Sequence, residues 1–280
     1  MFNIKIKAAV LEKIKSKLKI LYNINIPKLK RGQVLIKIKY AGVCRSQLYE
    51  VLGKRGKDLY LPHLLGHEAT GVVIACGKDT TKVKPLDKIF LTWIKSDGIE
   101  ADTPKFNYPK KRKIINSGRV TTFSNYTIAS ENRVIKLPKK INFKTGVLLG
   151  CALPTGAGMI FNQTKINKNS KVLVFGLGGV GLSALLAAMS KKPKLLVGID
   201  KNKYKINILN KFFKGKVKLL NNQMQKHKEL KKLKKNRIFD YAIETSGTAR
   251  GIESCIELLH DKGKCVFASH PPKHEKIKLD

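Results

Sequence analysis

The feature that most constrains the fold of this chain is a glycine-rich turn directly behind an apolar strand. The segment Lys171–Phe175 leads into a glycine-rich hexapeptide, Gly176-Leu177-Gly178-Gly179-Val180-Gly181. In such a turn the first glycine permits the bend, the second lets the backbone approach a pyrophosphate, and the third lets the helix pack on the strand. The helix should begin near Gly179 and Val180, with its N-terminal amides facing the phosphates. The pattern predicts a dinucleotide site, although a similar fold that binds no ligand stays an alternative.

An acidic residue at the end of the next strand supports the dinucleotide interpretation. That strand ends at Gly198-Ile199-Asp200. A carboxylate at Asp200 can accept hydrogen bonds from the adenosine ribose hydroxyls, and it would repel a 2′-phosphate. The sequence therefore favours NAD over NADP.

Beyond about residue 170, apolar strand candidates alternate with helix-length segments. The predicted strands are Val172–Phe175, Leu195–Ile199, Val217–Leu220, Tyr241–Ile243 and Cys265–Ala268. The predicted helices span about 180–190, 201–212 and 248–259. This alternation predicts right-handed crossover units and a parallel, doubly wound (Rossmann) sheet.

The first half of the chain contains mainly strand patterns. Val34–Tyr40 alternates with period two, which places Ile36, Ile38 and Tyr40 on one face. Further short apolar runs are separated by turn residues: Gly71–Cys76, Lys88–Trp93, Phe123–Ile128 and Arg133–Leu137. We expect a small, mostly antiparallel, barrel-like domain, so that the whole chain is an α/β protein with a β-rich first domain.

The composition limits the remaining function classes. The formal net charge of +38 would suit a polyanion-binding protein, but the lysines are scattered along the chain, as expected for compositional drift on a solvated surface. Five cysteines without a C-x-x-C spacing argue against a disulfide framework and predict a reducing compartment, the cytoplasm. The uncharged run Val172–Ser190 approaches the length of a membrane span, but its glycines fit a strand, turn and helix better.

Two cysteines and one histidine are candidate ligands for a single zinc ion: Cys44, His67 and Cys151. Two thiolates and an imidazole suit zinc, and a fourth open position is typical of a catalytic site. Each residue also has an ordinary alternative, since cysteine is often a small buried apolar residue. Spacing alone does not decide, because the three residues lie far apart in the chain.

The segments around these residues resemble the zinc-dependent medium-chain alcohol dehydrogenases. They are Ala41-Gly42-Val43-Cys44-Arg45-Ser46, Leu65-Gly66-His67-Glu68 and Gly150-Cys151-Ala152-Leu153-Pro154-Thr155-Gly156. The resemblance covers residues 5–280 and implies a GroES-like catalytic zinc domain over residues 1–154 and a NAD-binding Rossmann domain over residues 155–280. It implies that a small-molecule alcohol or polyol is oxidised to an aldehyde or ketone, or the reverse, with no specific nucleic-acid or membrane partner.

The resemblance also implies a role for each matched residue. Cys44, His67 and Cys151 match the zinc ligands, Glu68 the carboxylate beside the metal, and Ser46 the hydroxyl that takes the substrate proton. Arg45 matches a pyrophosphate-binding position and Thr155 a residue near the nicotinamide. Asp200 and Lys205 match residues that hold the adenosine ribose.

The chain departs from the family pattern in three places. Residues 92–118 lack cysteine, so we expect one catalytic zinc, no structural zinc, and an irregular loop over Ser96–Lys113. Tyr49 stands where the family's proton relay often ends in a histidine, and a tyrosine is a poor proton acceptor at neutral pH. The chain ends at Asp280, which predicts a Rossmann sheet without its sixth strand, the usual dimer strand. A homo-oligomer stays possible, and a truncated homologue that keeps the sites without turnover is the alternative function.

Overall fold

A computed structural model describes residues 4–221, 228–268, 271 and 275–279. The chain divides into two compact units, Met1–Cys151 and Ala152–Asp280, here called the N-terminal and C-terminal units. Each unit is described separately.

The N-terminal unit consists of a closed barrel and a second, five-stranded sheet. Its strands are β1 (Lys5–Leu11), β2 (Lys19–Asn25), β3 (Gln33–Ala41), β4 (His63–Leu64), β5 (Ala69–Cys76), β6 (Lys88–Leu91), β7 (Lys105–Tyr108), β8 (Lys113–Asn116), β9 (Tyr126–Ser130) and β10 (Val134–Lys136). The barrel order is β1-β2-β7-β8-β4, and the sheet order is β10-β6-β5-β3-β9. The helices are α1 (Arg45–Val51) and α2 (Phe143–Gly146), and short 3-10 segments cover Pro109–Lys111, Glu131–Arg133 and Val147–Gly150. The predicted barrel-like first domain is confirmed.

Strand β3 contributes to two hydrophobic cores because it is buried on both faces at its start. Val34 and Ile36 pack with the apolar residues of the five-stranded sheet, while Leu35 packs with the barrel core. Irregular pairing with β5 between Ile38 and Tyr40 interrupts the alternation. The predicted shared face therefore ends before Tyr40, which is half exposed.

The C-terminal unit is a parallel five-stranded sheet with intervening helices. Its elements are α3 (Ala152–Gln163), β11 (Lys171–Phe175), α4 (Gly179–Ser190), β12 (Leu195–Asp200), α5 (Lys203–Phe213), β13 (Lys218–Asn221), α6 (Lys228–Asn236), β14 (Phe239–Glu244), α7 (Ala249–Leu258) and β15 (Leu259–Phe267). The strand order is β13-β12-β11-β14-β15, and all four pairings are parallel. The order reverses between β11 and β14, and ligands bind at such a switch point beyond the carboxyl ends of the strands. The predicted parallel sheet is confirmed.

One expectation for the N-terminal unit is wrong. The segment Ser96–Lys113 is not an irregular loop throughout, because it contains β7 and a 3-10 turn. Phe106 and Tyr108 point into the barrel core, and β7 pairs with both β2 and β8. In β7 the apolar residues alternate with polar ones over only four positions, and so short a pattern does not predict a strand within a lysine-rich stretch.

The two basic stretches of the sequence have different structures. Pro109–Lys113 forms the 3-10 turn between β7 and β8. In the stretch from Lys226 to Arg237, Lys226 lies outside the described residues, α6 covers Lys228–Asn236, and Leu233 is buried. Pro272 and Asp280, near the end of the chain, also lie outside the described residues.

No single helix within the described ranges is long and apolar enough to cross a membrane. The bent pair Phe143–Gly150 and Ala152–Gln163 passes that test jointly, on length and composition alone. The uncharged run Val172–Ser190 forms β11, the glycine turn and α4, as predicted.

Candidate functional site

The N-terminal unit brings the three predicted metal ligands together. One ligand atom from each of Cys44, His67 and Cys151 lies within 4.8 Å of the others. Cys44 immediately precedes α1, His67 lies between β4 and β5, and Cys151 follows the 3-10 segment Val147–Gly150. Residues more than 100 positions apart in the sequence therefore form one cluster.

Glycines next to the ligands allow this convergence. Gly66 has a φ of +91°, and a Cβ there would collide with Thr122 and Phe123. A Cβ at Gly42 would overlap the side chain of Glu68, and one at Gly150 would lie 2.6 Å from Glu68 Cβ. The segments that carry the ligands thus pack around Glu68 more closely than larger residues would permit.

Gln47 connects two of the ligands and was missed in the sequence. Its Oε1 accepts a hydrogen bond from the Cys44 backbone N–H at 3.1 Å, and its Nε2 contacts His67 Nδ1. Gln47 is 6% exposed. The signal was present, because a glutamine three residues after the residue that begins a helix is typical of a capping box.

The two sulfur atoms have opposite pKa shifts because they are close together. Interactions with Cys151 and His67 lower the pKa of Cys44 to about 3, against the effect of burial. The Cys44 sulfur and burial in turn raise the pKa of Cys151. Without a cation, the pair therefore holds one thiolate and one thiol; a divalent cation would favour the second thiolate.

The residues present fit a zinc ion. Gln47 Nε2 contacts His67 Nδ1, while His67 Nε2 is buried and has no hydrogen-bond partner within the described part of the chain. An imidazole nitrogen beside two sulfurs is the donor set that zinc prefers, and zinc on Nε2 would replace the proton that this nitrogen carries while Gln47 Nε2 donates to Nδ1. Binding through Nε2 would move the ring proton to Nδ1, the nitrogen that the Gln47 side chain contacts.

The other predicted residues of this unit surround the cluster. Ser46 Oγ is buried and has no hydrogen-bond partner among the described residues, and Glu68 is 5% exposed. Arg45 is exposed, with its guanidinium 5.1 Å from the centre of the Tyr49 ring. Lys54 Nζ lies 5.4 Å from the same ring centre, so two cations stack on Tyr49.

In the C-terminal unit the glycine turn has the predicted form. Gly176 has a φ of +89°, and α4 begins at Gly179, followed by Val180. A Cβ at Gly181 would overlap the carbonyl oxygen of Gly176, whereas a Cβ at Gly178 would meet no atom within 4 Å. Gly181 is therefore required by packing, and Gly178 leaves open space in front of the helix N-terminus.

Asp200 is hydrogen-bonded to this turn. Its Oδ2 accepts hydrogen bonds from Leu177 N–H at 2.8 Å and from Lys205 Nζ at 2.7 Å, and its Oδ1 accepts one from Asn202 N–H at 2.8 Å. Burial opposes ionisation, but these donors keep the pKa of Asp200 below its usual value. Because a carboxylate has about four acceptor positions, about one is left for a ribose hydroxyl.

Thr245 is a second residue that the sequence did not reveal. It follows β14 at the switch point, and its Oγ1 donates to Gly176 O at 2.6 Å. Its backbone N–H donates to Phe175 O at 2.8 Å. Only the strand order β11-β14, which no local pattern contains, brings Thr245 beside the turn.

Thr155 lies in the first part of α3 and is partly buried. Within the C-terminal unit α3 packs closely on α4, because a Cβ at Gly156 would overlap Val180 O. Ser183 Oγ also donates to Leu153 O at 2.7 Å. The position of Thr155 relative to the glycine turn is thus fixed by two contacts, while its role beside a nicotinamide stays a prediction.

Comparison with known sequences identifies relatives of this chain. Residues 30–139 match the family described as the alcohol dehydrogenase GroES-like domain. An S-(hydroxymethyl)glutathione dehydrogenase of Photobacterium damsela subsp. piscicida is 31% identical over 212 residues, which cover 68% of this chain and 57% of that protein. The chain thus spans less than two thirds of the length of the curated relatives it matches.

Solved structures share the fold. Benzyl alcohol dehydrogenase from Acinetobacter calcoaceticus has a TM-score of 0.83 at 22% identity, covering 99% of this chain and 80% of that one. An alcohol dehydrogenase from the archaeon Aeropyrum pernix has a TM-score of 0.78 at 21% identity, covering 98% and 80%. At these identities the likeness supports the barrel-plus-Rossmann architecture and no finer detail.

Proposed function

Because this chain belongs to the zinc-dependent medium-chain alcohol dehydrogenase family, we propose that it transfers hydride between a primary or secondary alcohol, or a polyol, and NAD. The product is an aldehyde or ketone, and the reverse reaction reduces it. The observation that carries the proposal is the convergence of Cys44, His67 and Cys151 within 4.8 Å.

The metal-binding role falls to these three side chains. Cys44 and Cys151 would bind through sulfur and His67 through Nε2, the ring nitrogen that Gln47 does not contact. Zinc held there supplies a Lewis acid that lowers the pKa of an alcohol oxygen and polarises a carbonyl. Three protein ligands leave one position for the substrate. Gln47 orients two of the ligands through its contacts with Cys44 and His67.

Ser46 moves the substrate proton in this proposal. Its buried Oγ has both a donor and an acceptor function. Ser46 can therefore accept a proton from the alcohol and pass it outward. Glu68, buried against Gly42 and Gly150, contributes negative charge beside the metal. Tyr49 lies one turn farther along α1, but the relay would end in water or the cofactor ribose, because a tyrosine accepts protons poorly at neutral pH.

The glycine turn and Asp200 bind the cofactor. The turn Gly176–Gly181 and the first amides of α4 would hold the pyrophosphate, with Arg45 as a further cation. Asp200 and Lys205 would hold the adenosine ribose, and the carboxylate favours NAD over NADP. NAD supplies the nicotinamide that accepts the hydride. Thr155 is assigned to the nicotinamide side of the site.

The remaining assignments complete the proposal. We propose one catalytic zinc and no structural zinc of the four-cysteine type, since residues 92–118 lack cysteine. The domains are residues 1–154 and 155–280, and the substrate is a small molecule, with no specific nucleic-acid or membrane partner. All five cysteines are free, which agrees with a cytoplasmic location. A homo-oligomer stays possible.

The test measures bound zinc and NADH formation over a panel of primary alcohols, secondary alcohols and polyols. We expect turnover with NAD that exceeds turnover with NADP, and loss of activity on chelation with recovery on adding zinc. Zinc binding and NAD binding without turnover on any alcohol or carbonyl compound would support the truncated, non-catalytic homologue instead.

A matched pair of variants separates the site from a general effect of cysteine loss. Cys44→Ala should lose zinc and activity, since it removes one of three ligands. Cys76→Ala changes a half-buried cysteine of the same unit. The Cys76 sulfur donates to Val83 O and is not part of the metal cluster. Equal zinc contents in the two variants would contradict the proposed ligand set.

A further inference from the structure

A second group of ligand-type side chains lies outside the thiolate cluster. Ligand atoms of Glu50, Asp58 and His63 all lie within 4.8 Å of one another. They come from three segments of the N-terminal unit: helix α1, the loop after it, and strand β4. Strand pairing holds His63 in place, since it lies opposite Leu11 in β1 and Asn116 in β8.

The hydrogen bonds of His63 define the state of its ring. Its Nδ1 lies 2.9 Å from the Leu64 carbonyl oxygen, which can only accept, so Nδ1 carries a proton. Its Nε2 lies 2.8 Å from Asp58 Oδ2 and 3.9 Å from Glu50 Oε1. Because His63 is 6% exposed, bulk water contributes little at this nitrogen. Since Nε2 of a neutral ring and Asp58 Oδ2 are both acceptors, a proton or a cation has to supply positive charge between these two atoms.

A proton and a divalent cation could both supply this charge, but they satisfy different contacts. A proton on Nε2 reaches Asp58 at 2.8 Å and leaves Glu50 beyond hydrogen-bond distance. A divalent cation can contact all three ligand atoms and neutralise both carboxylates. The proton on Nδ1, bound to a backbone carbonyl, also gives the ring the tautomer and orientation that metal-binding histidines usually have.

We propose that Glu50, Asp58 and His63 form a second divalent-cation site with one nitrogen and two oxygen ligands. Imidazole and carboxylate ligands suit borderline and harder cations such as Zn²⁺ and Mn²⁺, in contrast to the thiolates of the first site. The site would give the chain a second cation, in addition to the single zinc that the sequence predicts. It does not depend on the proposed activity, because none of its ligands belongs to the first cluster.

The loop that carries Asp58 is already held in the required position. Asp58 Oδ1 accepts a hydrogen bond from Tyr60 N–H at 2.9 Å, and Asn116 Nδ2 donates to Tyr60 O at 2.8 Å. Burial opposes ionisation of Asp58, but the donors Tyr60 N–H and His63 lower its pKa. An ionised ligand is therefore available at neutral pH. A cation here would link α1 to β4 and so stabilise the helix that follows Cys44.

The test uses Mn²⁺ as a probe on the full chain whose thiolate site already holds one equivalent of zinc. Mn²⁺ binds sulfur poorly and does not displace zinc from thiolates. We expect one bound Mn²⁺ by electron paramagnetic resonance, with selective broadening of the His63 ring signals in the NMR spectrum. If no Mn²⁺ binds, or if the His63 ring signals stay sharp when Mn²⁺ is added, the proposal is overturned.

Two conservative variants and a matched control complete the experiment. Glu50→Gln and Asp58→Asn should each weaken Mn²⁺ binding about tenfold or more, with zinc in the first site unchanged. Glu12→Gln removes the same charge from the same unit, at a carboxylate paired with Lys19 at 2.6 Å. An equal loss in Glu12→Gln would mean that Mn²⁺ responds only to net charge, which would also overturn the proposal.

Discussion

Gln47 offers the most direct test of how this chain holds a metal. The Gln47→Ala variant removes the acceptor of the Cys44 N–H bond and the group that contacts His67 Nδ1. None of the three zinc ligands is changed. Zinc affinity should therefore fall because the ligands lose orientation, while the donor set stays complete.

The size of the effect follows from the number of contacts. Loss of a partner that orients a metal-binding histidine typically lowers metal affinity 10- to 100-fold, which corresponds to about 1.4–2.7 kcal/mol. Because Gln47 accepts the Cys44 N–H bond but its Nε2 cannot accept a proton from His67 Nδ1, we expect the lower half of that range. Zinc on Nε2 leaves the ring proton of His67 on Nδ1, which then needs an acceptor. A Gln47→Glu variant supplies acceptors for both Nδ1–H and Cys44 N–H, and should bind zinc at least as tightly as the unmodified chain.

The measurement is a zinc competition titration against a chromophoric chelator at constant pH. Gln33→Ala is a matched control, because Gln33 is 2% exposed, lies in the same unit, and hydrogen-bonds Lys30 N–H at 2.9 Å and Asp102 O at 2.9 Å. Both alanine variants lose a buried amide and some stability, but only Gln47→Ala should lose zinc affinity. Affinities that fall equally in the two variants would refute the orienting role.

Three further predictions concern the C-terminal unit and the sulfur ligands. Gly181→Ala should destabilise the fold by about 1–3 kcal/mol because its Cβ overlaps Gly176 O, whereas Gly178→Ala should fold normally and weaken NAD binding; thermal melting and NAD titration distinguish them. Asp200→Asn should lower the preference for NAD over NADP and cost about 1–3 kcal/mol at neutral pH. The folded-state pKa of Asp200 lies below its unfolded value of about 3.9. The contribution of Asp200 to the free energy of unfolding is therefore present above that pH and is lost as the pH falls through the folded-state pKa. In acid, Asp200→Asn and the unmodified chain should thus become equally stable. Cys151→Ser should retain the fold and lose most of its bound zinc, as measured by metal analysis after dialysis.

Local patterns in the sequence predicted the C-terminal unit well because its elements are long and regular. The apolar run before Gly176 and the spacing of the glycines correspond directly to β11, the turn and α4. Strand β7 was missed because only Phe106 and Tyr108 mark it, within a lysine-rich stretch. The sequence does not predict helix α3, because its first two turns contain Pro154, Gly156 and Gly158, which have low helix propensity.

The sequence predicts which residues are the metal ligands, but it does not predict the distances between them. Resemblance to a family identified Cys44, His67 and Cys151, whereas their spacing in the chain carries no information on distance. Thr245 could not be found in that way, since it acts through a contact that exists only after folding, and Gln47 is marked in the sequence only by its capping-box position.

The metal cluster illustrates why such a site needs the whole unit. Glu68 occupies space that side chains at Gly42 and Gly150 would otherwise fill, so the segments that end in Cys44 and Cys151 approach one another only because both positions lack a Cβ. Thr92 Oγ1 then fixes the last of these segments by donating to Gly150 O at 2.8 Å. The ligands are therefore positioned by backbone packing and two side-chain hydrogen-bond donors, Thr92 and Gln47, before any cation binds. A preorganised site of this kind binds zinc without a large ordering cost, which is why the loss of a single orienting contact should be measurable as a loss of affinity.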